Sequence, residues 1–179
     1  MSGNTFDLSL RDATPADAAL LSELSKATFS DTFASQNSLA DMEAYLSSNF
    51  LIDDIRLELS EPSTKYLIAE FQGKAIGYAK LGEKELPKAL EGKKVIELER
   101  LYVLKEYHGR KVGATLMHAC IQYAAAQGFE VLWLGVWEHN TKARNFYKEF
   151  GFVKFGEHPF VLGSDVQTDW MMKLDLSVV

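Results

Sequence analysis

The chain has 179 residues, of which 47% are hydrophobic and 25% are charged, and its formal net charge is −6. This length and composition are typical of a single globular domain with one core, and they exclude a disordered or fibrous chain. The acidic charge argues against binding along a nucleic-acid backbone, which requires clustered lysine and arginine, and is compatible with a small cationic substrate.

The first half of the chain predicts one strand, three helices and a hairpin. Apolar and polar residues alternate over residues 6–11, which indicates a strand. Thr14, Pro15 and Asp17 form a helix start whose helix reaches Phe33, and Ser38 with Asp41 repeats the pattern for a second helix. A short third helix is expected over residues 54–59. Strands over residues 66–71 and 75–81 follow, joined by a tight turn at residues 72–74.

The second half alternates strands and helices. Residues 83–94 are rich in charge and predict a loop, and they precede the expected strand 95–103, helix 112–127, strand 131–137 and helix 142–150. Two further strands are expected at about residues 152–156 and 168–174. This order fits a mixed sheet flanked by helices. No repeat or linker interrupts it, so we expect residues 1–179 to form one domain.

A glycine-containing loop between the strand ending at Val103 and the next helix predicts a phosphate site. Gly109 and Gly113 have no Cβ, so the backbone can bend sharply there or approach a ligand closely. The helix that follows presents free N–H groups and the positive end of its dipole to an anion. Arg110 and Lys111 add positive charge. The Walker and GxGxxG spacings are both absent, so the expected ligand is a diphosphate of another kind.

A second motif follows the strand at residues 131–137. It consists of Asn140 and a short helical run that contains Phe146-Tyr147 and ends at Gly151-Phe152. Together with the loop at residues 108–113, it resembles the GNAT family of acetyl-CoA-dependent N-acetyltransferases. The family's loop reads Gln/Arg-x-x-Gly-x-Gly/Ala. Here His108 replaces the first residue and Lys111 replaces the first motif glycine.

The resemblance implies a mixed α/β fold with a mostly antiparallel sheet of about seven strands flanked by helices. The fourth and fifth strands are parallel and splay apart, and acetyl-CoA, the expected co-substrate, occupies the gap with its pantetheine paired to the fourth strand. No metal is expected. The residues expected to bind acetyl-CoA are Leu101, Tyr102, Val103, His108, Gly109, Arg110, Lys111, Val112, Gly113, Ala114, Asn140 and Tyr147.

Acetyl transfer requires an unprotonated amine, but an alkylamine with a pKa of about 10 is mostly protonated at neutral pH. Glu97 and Glu99 are candidate bases on the strand 95–103. Uniform alternation places both on one face with Leu101 and Val103, although a bulge would change that parity. Polyamine acetyltransferases have a glutamate in a similar Leu-Glu-x-x-Tyr-Val context, which favours Glu99. The alternative is that Glu99 only forms an ion pair with Arg100 or with a lysine.

Tyr147 and Asn140 each have a functional and a structural interpretation. The resemblance makes Tyr147 the general acid near the acetyl-CoA sulfur, whereas its spacing with Phe146 and Phe150 is also that of a core stripe. The resemblance has Asn140 bind the pantetheine amide, and Asn140 is also a good helix cap.

Cys120, the only cysteine, excludes an internal disulfide, and its spacing from Leu116 and Tyr123 predicts burial in a helix. The histidine spacing forms no metal site. The N-terminal residues lack the pattern of a signal peptide, and no apolar run is long enough to span a bilayer, so we expect a cytoplasmic protein.

A narrower resemblance concerns the acceptor. The segment 29–33, the second helix and the tail at residues 160–171 look like the PaiA-type spermidine/spermine acetyltransferases of bacteria. This similarity implies a homodimer that transfers acetyl directly to a primary amine, such as that of a polyamine. The alternatives are an acetyltransferase for protein N-termini or lysines, and a non-catalytic regulator that binds acetyl-CoA.

Overall fold

A seven-stranded sheet organises the computed structural model, which describes residues 7–83, 86–162 and 165–178. The strands are β1 (Leu8–Asp12), β2 (Thr64–Phe71), β3 (Lys74–Gly82), β4 (Val95–Val103), β5 (Val131–Trp137), β6 (Val153–Leu162) and β7 (Asp165–Asp175). The helices are α1 (Ala18–Phe33), α2 (Leu39–Asn49), α3 (Ile52–Glu58), α4 (Val112–Ala126) and α5 (Thr141–Glu149). Phe6 and Gly163, which fall in predicted segments, lie outside the described residues.

Local sequence signals explain several of these boundaries. Gln72 and Gly73 both have positive φ, 51° and 74°, as a two-residue hairpin turn between β2 and β3 requires. The Ser38 hydroxyl accepts a hydrogen bond from the Asp41 backbone N–H at 3.1 Å and caps α2. The predicted hairpin and helix start are therefore confirmed.

The sheet has the order β1-β2-β3-β4-β5-β7-β6, and every neighbouring pair is antiparallel except β4 and β5. The parallel pairing is short. It begins where Val95 of β4 pairs with Val131 of β5 and ends where Glu97 pairs with Trp133. Beyond Glu97, β4 continues to Val103 and β5 to Trp137 without pairing to each other. The predicted mixed sheet, with its fourth and fifth strands parallel and splayed, is confirmed.

A β-bulge at Glu99 changes which side chains of β4 share a face. Lys80 of β3 pairs with Arg100, but the next β3 residue pairs with Leu98, so Glu99 is an extra residue on β4. Uniform alternation over β4 is therefore wrong after Leu98. Glu99 and Arg100 both lie on the face covered by α1 and α3, as their contacts with Lys80 and Phe50 show.

Because of the same bulge, Leu101 and Val103 pack with Ile96 and Leu98 in the core on the α4 side. Tyr102 packs on the opposite face, against the core between the sheet and helices α1 and α3. The β4 segment that follows the bulge is thus anchored on both faces of the sheet.

The main core lies between the sheet and helices α4 and α5, and it includes Cys120. Burial raises the pKa of the Cys120 thiol to about 12, so the thiol stays protonated and the predicted packing role is confirmed. The last two strands are longer than predicted and pair with each other as a long hairpin. Among the described residues, no helix has the length and apolar character that crossing a membrane requires.

Candidate active site

A cavity of about 970 Å³ opens where β4 and β5 diverge. One end lies at the start of α4 and the preceding loop, the middle is lined by α5 and by the ends of β4 and β5, and the other end reaches α1, α2, β6 and β7. The expected acetyl-CoA-binding residues line this cavity, with the exception of Arg110, which is exposed beside it.

The loop before α4 has the geometry of an anion site. Gly109 has φ 77°, and Lys111 has φ 63° immediately before the first residue of α4. Within the described chain, the backbone N–H groups of residues 112–114 have no backbone partner, as expected for the first turn of a helix. A non-glycine residue at positive φ is strained. Lys111 tolerates this strain at the position where the family has glycine.

Gly113 and His108 shape the two sides of this loop. A Cβ at Gly113 would make ordinary van der Waals contacts with Phe146 Cζ at 3.8 Å and Val103 Cγ2 at 3.9 Å, so a larger side chain would crowd the helix start. His108 is exposed, and its Nε2 lies 2.8 Å from the Val103 carbonyl oxygen, which ties the loop to the end of β4. These features fit a ligand phosphate held by backbone N–H groups.

The middle of the cavity fits an extended ligand. Leu101, Tyr102 and Val103 line it from the part of β4 that does not pair with β5. Their backbone groups on that side are available to a ligand that runs parallel to the strand. Asn140 lines the same region, and its Oδ1 accepts a hydrogen bond from the Ala143 N–H at 3.1 Å. Its helix-capping interpretation is therefore confirmed, and a contact with pantetheine stays a prediction.

Tyr147 lines the cavity from α5 and packs against Phe146 and Phe152, with ring centroids 5.5 Å and 5.9 Å away. Its ring belongs to the edge of the main core, as the core-stripe interpretation predicted. Burial raises the pKa of Tyr147 well above its usual value of 10, so the hydroxyl group keeps its proton at neutral pH. A protonated phenol that faces the cavity can donate a proton.

Glu99 lies beside the cavity in a network of charged groups. Its Oε2 is 2.5 Å from the Lys80 Nζ, and Lys80, which is 1% exposed, also binds Glu58 at 2.9 Å. The partner of Glu99 is thus Lys80, one of the alternatives that the sequence left open. The other oxygen, Oε1, is buried without a hydrogen-bond partner among the described residues. It lies against Gly82, where a Cβ would approach to 2.0 Å, so only glycine leaves room for the carboxylate.

The far end of the cavity is an aromatic chamber. Phe29 and Tyr45 stack with centroids 4.5 Å apart and an interplanar angle of 11°, and Tyr45 lies 6.0 Å from Phe160. The residues of this acceptor chamber come from α1, from α2 and the residue after it, from β6 and from the end of β5: Phe29, Phe33, Tyr45, Phe50, Trp137 and Phe160. The structure therefore brings these distant segments together around one space.

Two charged residues of the acceptor chamber were not assigned a role from the sequence. Arg100 lies with its guanidinium carbon 4.9 Å from the Phe50 ring centroid, and its Nη1 is buried without a hydrogen-bond partner among the described residues. Asp169 on β7 has a buried Oδ1 that likewise lacks a described partner. Burial raises the pKa of Asp169, and positive charge on His158 opposes that shift. Arg100 is one of three charged residues in β4, and β7 has several polar and charged residues besides Asp169, so no sequence signal distinguished these two.

Tyr45 lies close enough to Arg100 and Asp169 for both charges to affect its pKa. Burial raises the pKa of Tyr45, the positive charge of Arg100 lowers it, and the negative charge of Asp169 raises it. Among the described residues, no group of three or more histidine, cysteine, aspartate or glutamate side chains could hold a metal ion. The polar groups of the site include the helix start, Tyr147, the Glu99–Lys80 pair and the two charges of the acceptor chamber.

Comparisons with known proteins agree with this geometry. The family model for the acetyltransferase (GNAT) family matches residues 23–152. The chain is 36% identical over 150 residues to an uncharacterized N-acetyltransferase in the pepI 3′ region of Lactobacillus delbrueckii subsp. lactis. The aligned part covers 84% of this chain and 87% of that protein. It is also 35% identical over 119 residues to an uncharacterized N-acetyltransferase of Mycobacterium bovis, and the aligned part covers 66% of this chain and 71% of that protein.

Solved structures share the fold. The crystal structure of a PaiA N-acetyltransferase from Thermoplasma acidophilum in complex with coenzyme A has a TM-score of 0.77 and 21% identity, and the match covers 94% of this chain and 99% of that one. A putative acetyltransferase of Salmonella typhimurium, solved with its cofactor acetyl-CoA, has a TM-score of 0.68 and 22% identity, with 95% and 94% covered. From the family match and the curated relatives, the chain belongs to the GNAT acetyltransferase family and is an N-acetyltransferase.

Proposed function

We propose that the chain transfers the acetyl group of acetyl-CoA directly to a primary amine of a small cationic molecule, such as the polyamines spermidine and spermine. The observation that carries this proposal is the continuity of one cavity. It leads from the free N–H groups at the start of α4, past Tyr147 in the gap between β4 and β5, into the acceptor chamber with its carboxylate, Asp169. Donor and acceptor can therefore meet inside the protein.

The residues present fit acetyl-CoA, which supplies a thioester as the electrophile. The N–H groups of residues 112–114 and the charges of Arg110 and Lys111 hold the diphosphate. The backbone of residues 101–103 pairs with the pantetheine, and Asn140 contributes its side-chain amide nitrogen. The neighbours solved with coenzyme A or acetyl-CoA support this assignment.

In the proposed reaction, the amine nitrogen attacks the acetyl carbonyl carbon and the carbon–sulfur bond breaks. Tyr147 donates its proton to the departing sulfur, because its raised pKa keeps the hydroxyl group protonated at neutral pH. Glu99, oriented by Lys80, accepts the proton of the incoming ammonium through water. After the attack, the nitrogen loses its second proton, which returns through water to Tyr147. The products are therefore the amide, the thiol and one proton on Glu99, formed without a covalent acetyl-enzyme.

The acceptor chamber supports a cationic amine. An alkylammonium group gains from the faces of aromatic rings and from a nearby carboxylate, and both are present in the acceptor chamber. The net charge of −6 adds a weak attraction at long range. The resemblance of residues 29–33, the second helix and the tail to polyamine acetyltransferases favours the same acceptor class.

A thiol-release assay tests this function. Spermidine, a lysine-bearing peptide and an aminoglycoside are supplied at matched concentration, with product identity confirmed by mass spectrometry. We expect spermidine to be acetylated fastest, and its advantage to shrink as ionic strength rises, because salt screens the attraction between separated charges. A clear preference for the peptide would indicate protein acetylation. Absence of product from all three, with acetyl-CoA binding intact, would indicate either a regulator or an acceptor outside this panel.

Asp169→Asn tests the acceptor chamber separately from the donor site. The substitution keeps the shape of the side chain and removes its charge, so we expect kcat/KM for spermidine to fall about 10-fold. Acetyl-CoA affinity should not change. Asp53→Asn on the exposed surface of α3 is the matched control. Equal kinetics for the two variants would exclude Asp169 as a partner of the acceptor ammonium.

A further inference from the structure

The acceptor chamber contains an unexplained cation as well as a carboxylate. Arg100 lies there because the bulge at Glu99 turns it toward α1 and α3 rather than toward α4. Its guanidinium packs on Phe50, and its Nη1 is buried without a hydrogen-bond partner among the described residues. Buried polar atoms in proteins nearly always have a partner, and leaving a cationic donor without one is costly.

The neighbouring acids do not explain this arginine. On its face of the sheet, Glu58 and Glu99 are held by Lys80 at 2.9 Å and 2.5 Å, and Tyr66 also donates to Glu58 at 2.6 Å. The side chain in hydrogen-bonding reach of Arg100 is the neutral Tyr78, which leaves the positive charge unpaired among the described residues. Asp169 is on the same cavity, yet it too has a buried oxygen without a partner, so the two opposite charges do not neutralise each other. Both residues line the acceptor chamber, and each has one buried hydrogen-bonding atom without a partner among the described residues.

We infer that Arg100 binds a carboxylate of the acceptor, so that the preferred acceptors carry a carboxylate together with the amine that is acetylated. This inference rests on the proposed amine acetylation and narrows the acceptors from small primary amines in general to those that also carry a carboxylate, such as diamino acids. A guanidinium is well suited to this role, because its planar donors match the two oxygens of a carboxylate. Asp169 and the aromatic rings bind the ammonium group of the same molecule.

Lysine and cadaverine give a matched test, because they differ only by the α-carboxylate. We expect kcat/KM for acetylation to be about 10- to 100-fold higher for lysine than for cadaverine in the wild-type chain, as a hydrogen-bonded charge pair allows. Arg100→Met should remove this preference, and Arg100→Lys should restore part of it. Arg56→Met, on the exposed surface of α3, is the control and should keep the preference.

Two further readouts separate a binding role from a structural one. The melting temperature of Arg100→Met should equal or exceed that of the wild type, because a buried cation whose Nη1 has no hydrogen-bond partner among the described residues is replaced by an apolar side chain of similar length. Calorimetric titration of lysine into the chain saturated with coenzyme A should show binding that Arg100→Met abolishes. If Arg100 were structural, the variant would melt earlier and lose activity toward lysine and cadaverine equally.

The outcomes distinguish this inference from the proposed function. Acetylation of cadaverine at least as well as lysine by the wild type, or equal losses for both in Arg100→Met, would overturn the carboxylate subsite and leave amine acetylation intact. Lysine binding that depends on Arg100, without acetylation of any amine, would support the subsite and overturn the proposed function. No lysine binding and no acetylation would overturn both.

Discussion

Replacing Tyr147 by phenylalanine removes the proposed proton donor and little else. The ring keeps its contacts with Phe146 and Phe152, at 5.5 Å and 5.9 Å between centroids, so the walls of the cavity and the end of α5 should not move. The departing sulfur then leaves as a thiolate or takes its proton from water. Positioned acid catalysis contributes about 10²- to 10⁴-fold, so turnover should fall by that factor, which corresponds to about 3 to 5 kcal/mol in the barrier.

The affinity for acetyl-CoA should change far less than turnover. The variant loses one hydroxyl group, and a single hydrogen bond contributes about 1 kcal/mol, which limits the change in Kd to about fivefold. The assay is thiol release at saturating acetyl-CoA with spermidine and with lysine, together with calorimetric titration of acetyl-CoA. Tyr123→Phe is the control, because Tyr123 lies on α4 outside the cavity and faces Lys65.

The pH profile adds a second check on Tyr147. Because burial raises the pKa of its hydroxyl group, the acid form persists at neutral and mildly alkaline pH. The acceptor amine has a pKa of about 10, so the rate should rise with pH as the amine loses its proton. Over the same range Tyr147 stays protonated, so its ionisation should not lower the rate. Turnover near the wild-type value in Tyr147→Phe would refute the reasoning and leave Tyr147 as a core residue only.

Three further predictions concern the donor loop and the charged network. Gly113→Val adds a branched side chain whose Cβ is in ordinary contact with Phe146 and Val103, at 3.8 Å and 3.9 Å, so the chain should still fold. Calorimetry should show acetyl-CoA affinity lowered by at least about 100-fold, because the side chain crowds the first turn of α4, where the diphosphate is proposed to bind. Ala125→Val, on the exposed side of α4, is its control, and unchanged affinity in Gly113→Val would exclude the loop as the diphosphate site. Glu99→Gln should reduce turnover most at low pH, where the amine is most fully protonated. If Glu99→Gln instead lost thermal stability but kept full turnover per folded molecule, the Glu99–Lys80 pair would have a structural role only. For Glu58, burial alone would raise the carboxyl pKa, but the hydrogen bonds from Tyr66 and Lys80 outweigh it and lower that pKa to about 2. This shift stabilises the fold by about 3 kcal/mol above pH 4.5, and the contribution disappears as the pH falls toward 2. Denaturant titrations of wild type and Glu58→Gln should therefore differ at pH 7 and converge near pH 2, and a difference independent of pH would contradict the assignment.

The sequence predicted the donor side of the site because its signals are local. The strands at residues 95–103 and 131–137 have the predicted bounds, since each is a continuous apolar segment between turn signals. Gly109, Asn140 and the helix starts were recognisable from a few adjacent residues. The splayed parallel pair, in contrast, came from the resemblance to a family, because the separation of two strands is not encoded in either one.

The acceptor side could not be derived in the same way. The bulge at Glu99 depends on how β4 pairs with β3, and it decides that Arg100 faces the acceptor chamber. Arg100 and Asp169 are 69 positions apart in the printed sequence, and only the complete sheet and helix α2 bring them around Tyr45. The strand β6 was predicted too short because Gly156 and Pro159 interrupt its pattern. Homodimer formation and a cytoplasmic location stay predictions from the sequence.

The central claim is direct transfer of acetyl from acetyl-CoA to an amine. The most direct measurement uses acetyl-CoA with a radioactive acetyl group and determines which molecule carries the label after the reaction. With spermidine or lysine present, we predict one N-acetylated amine for each coenzyme A thiol released, and no labelled protein after denaturation when the acceptor is omitted. Label that remains covalently attached to the protein, or thiol release without an N-acetylated product, would contradict the account.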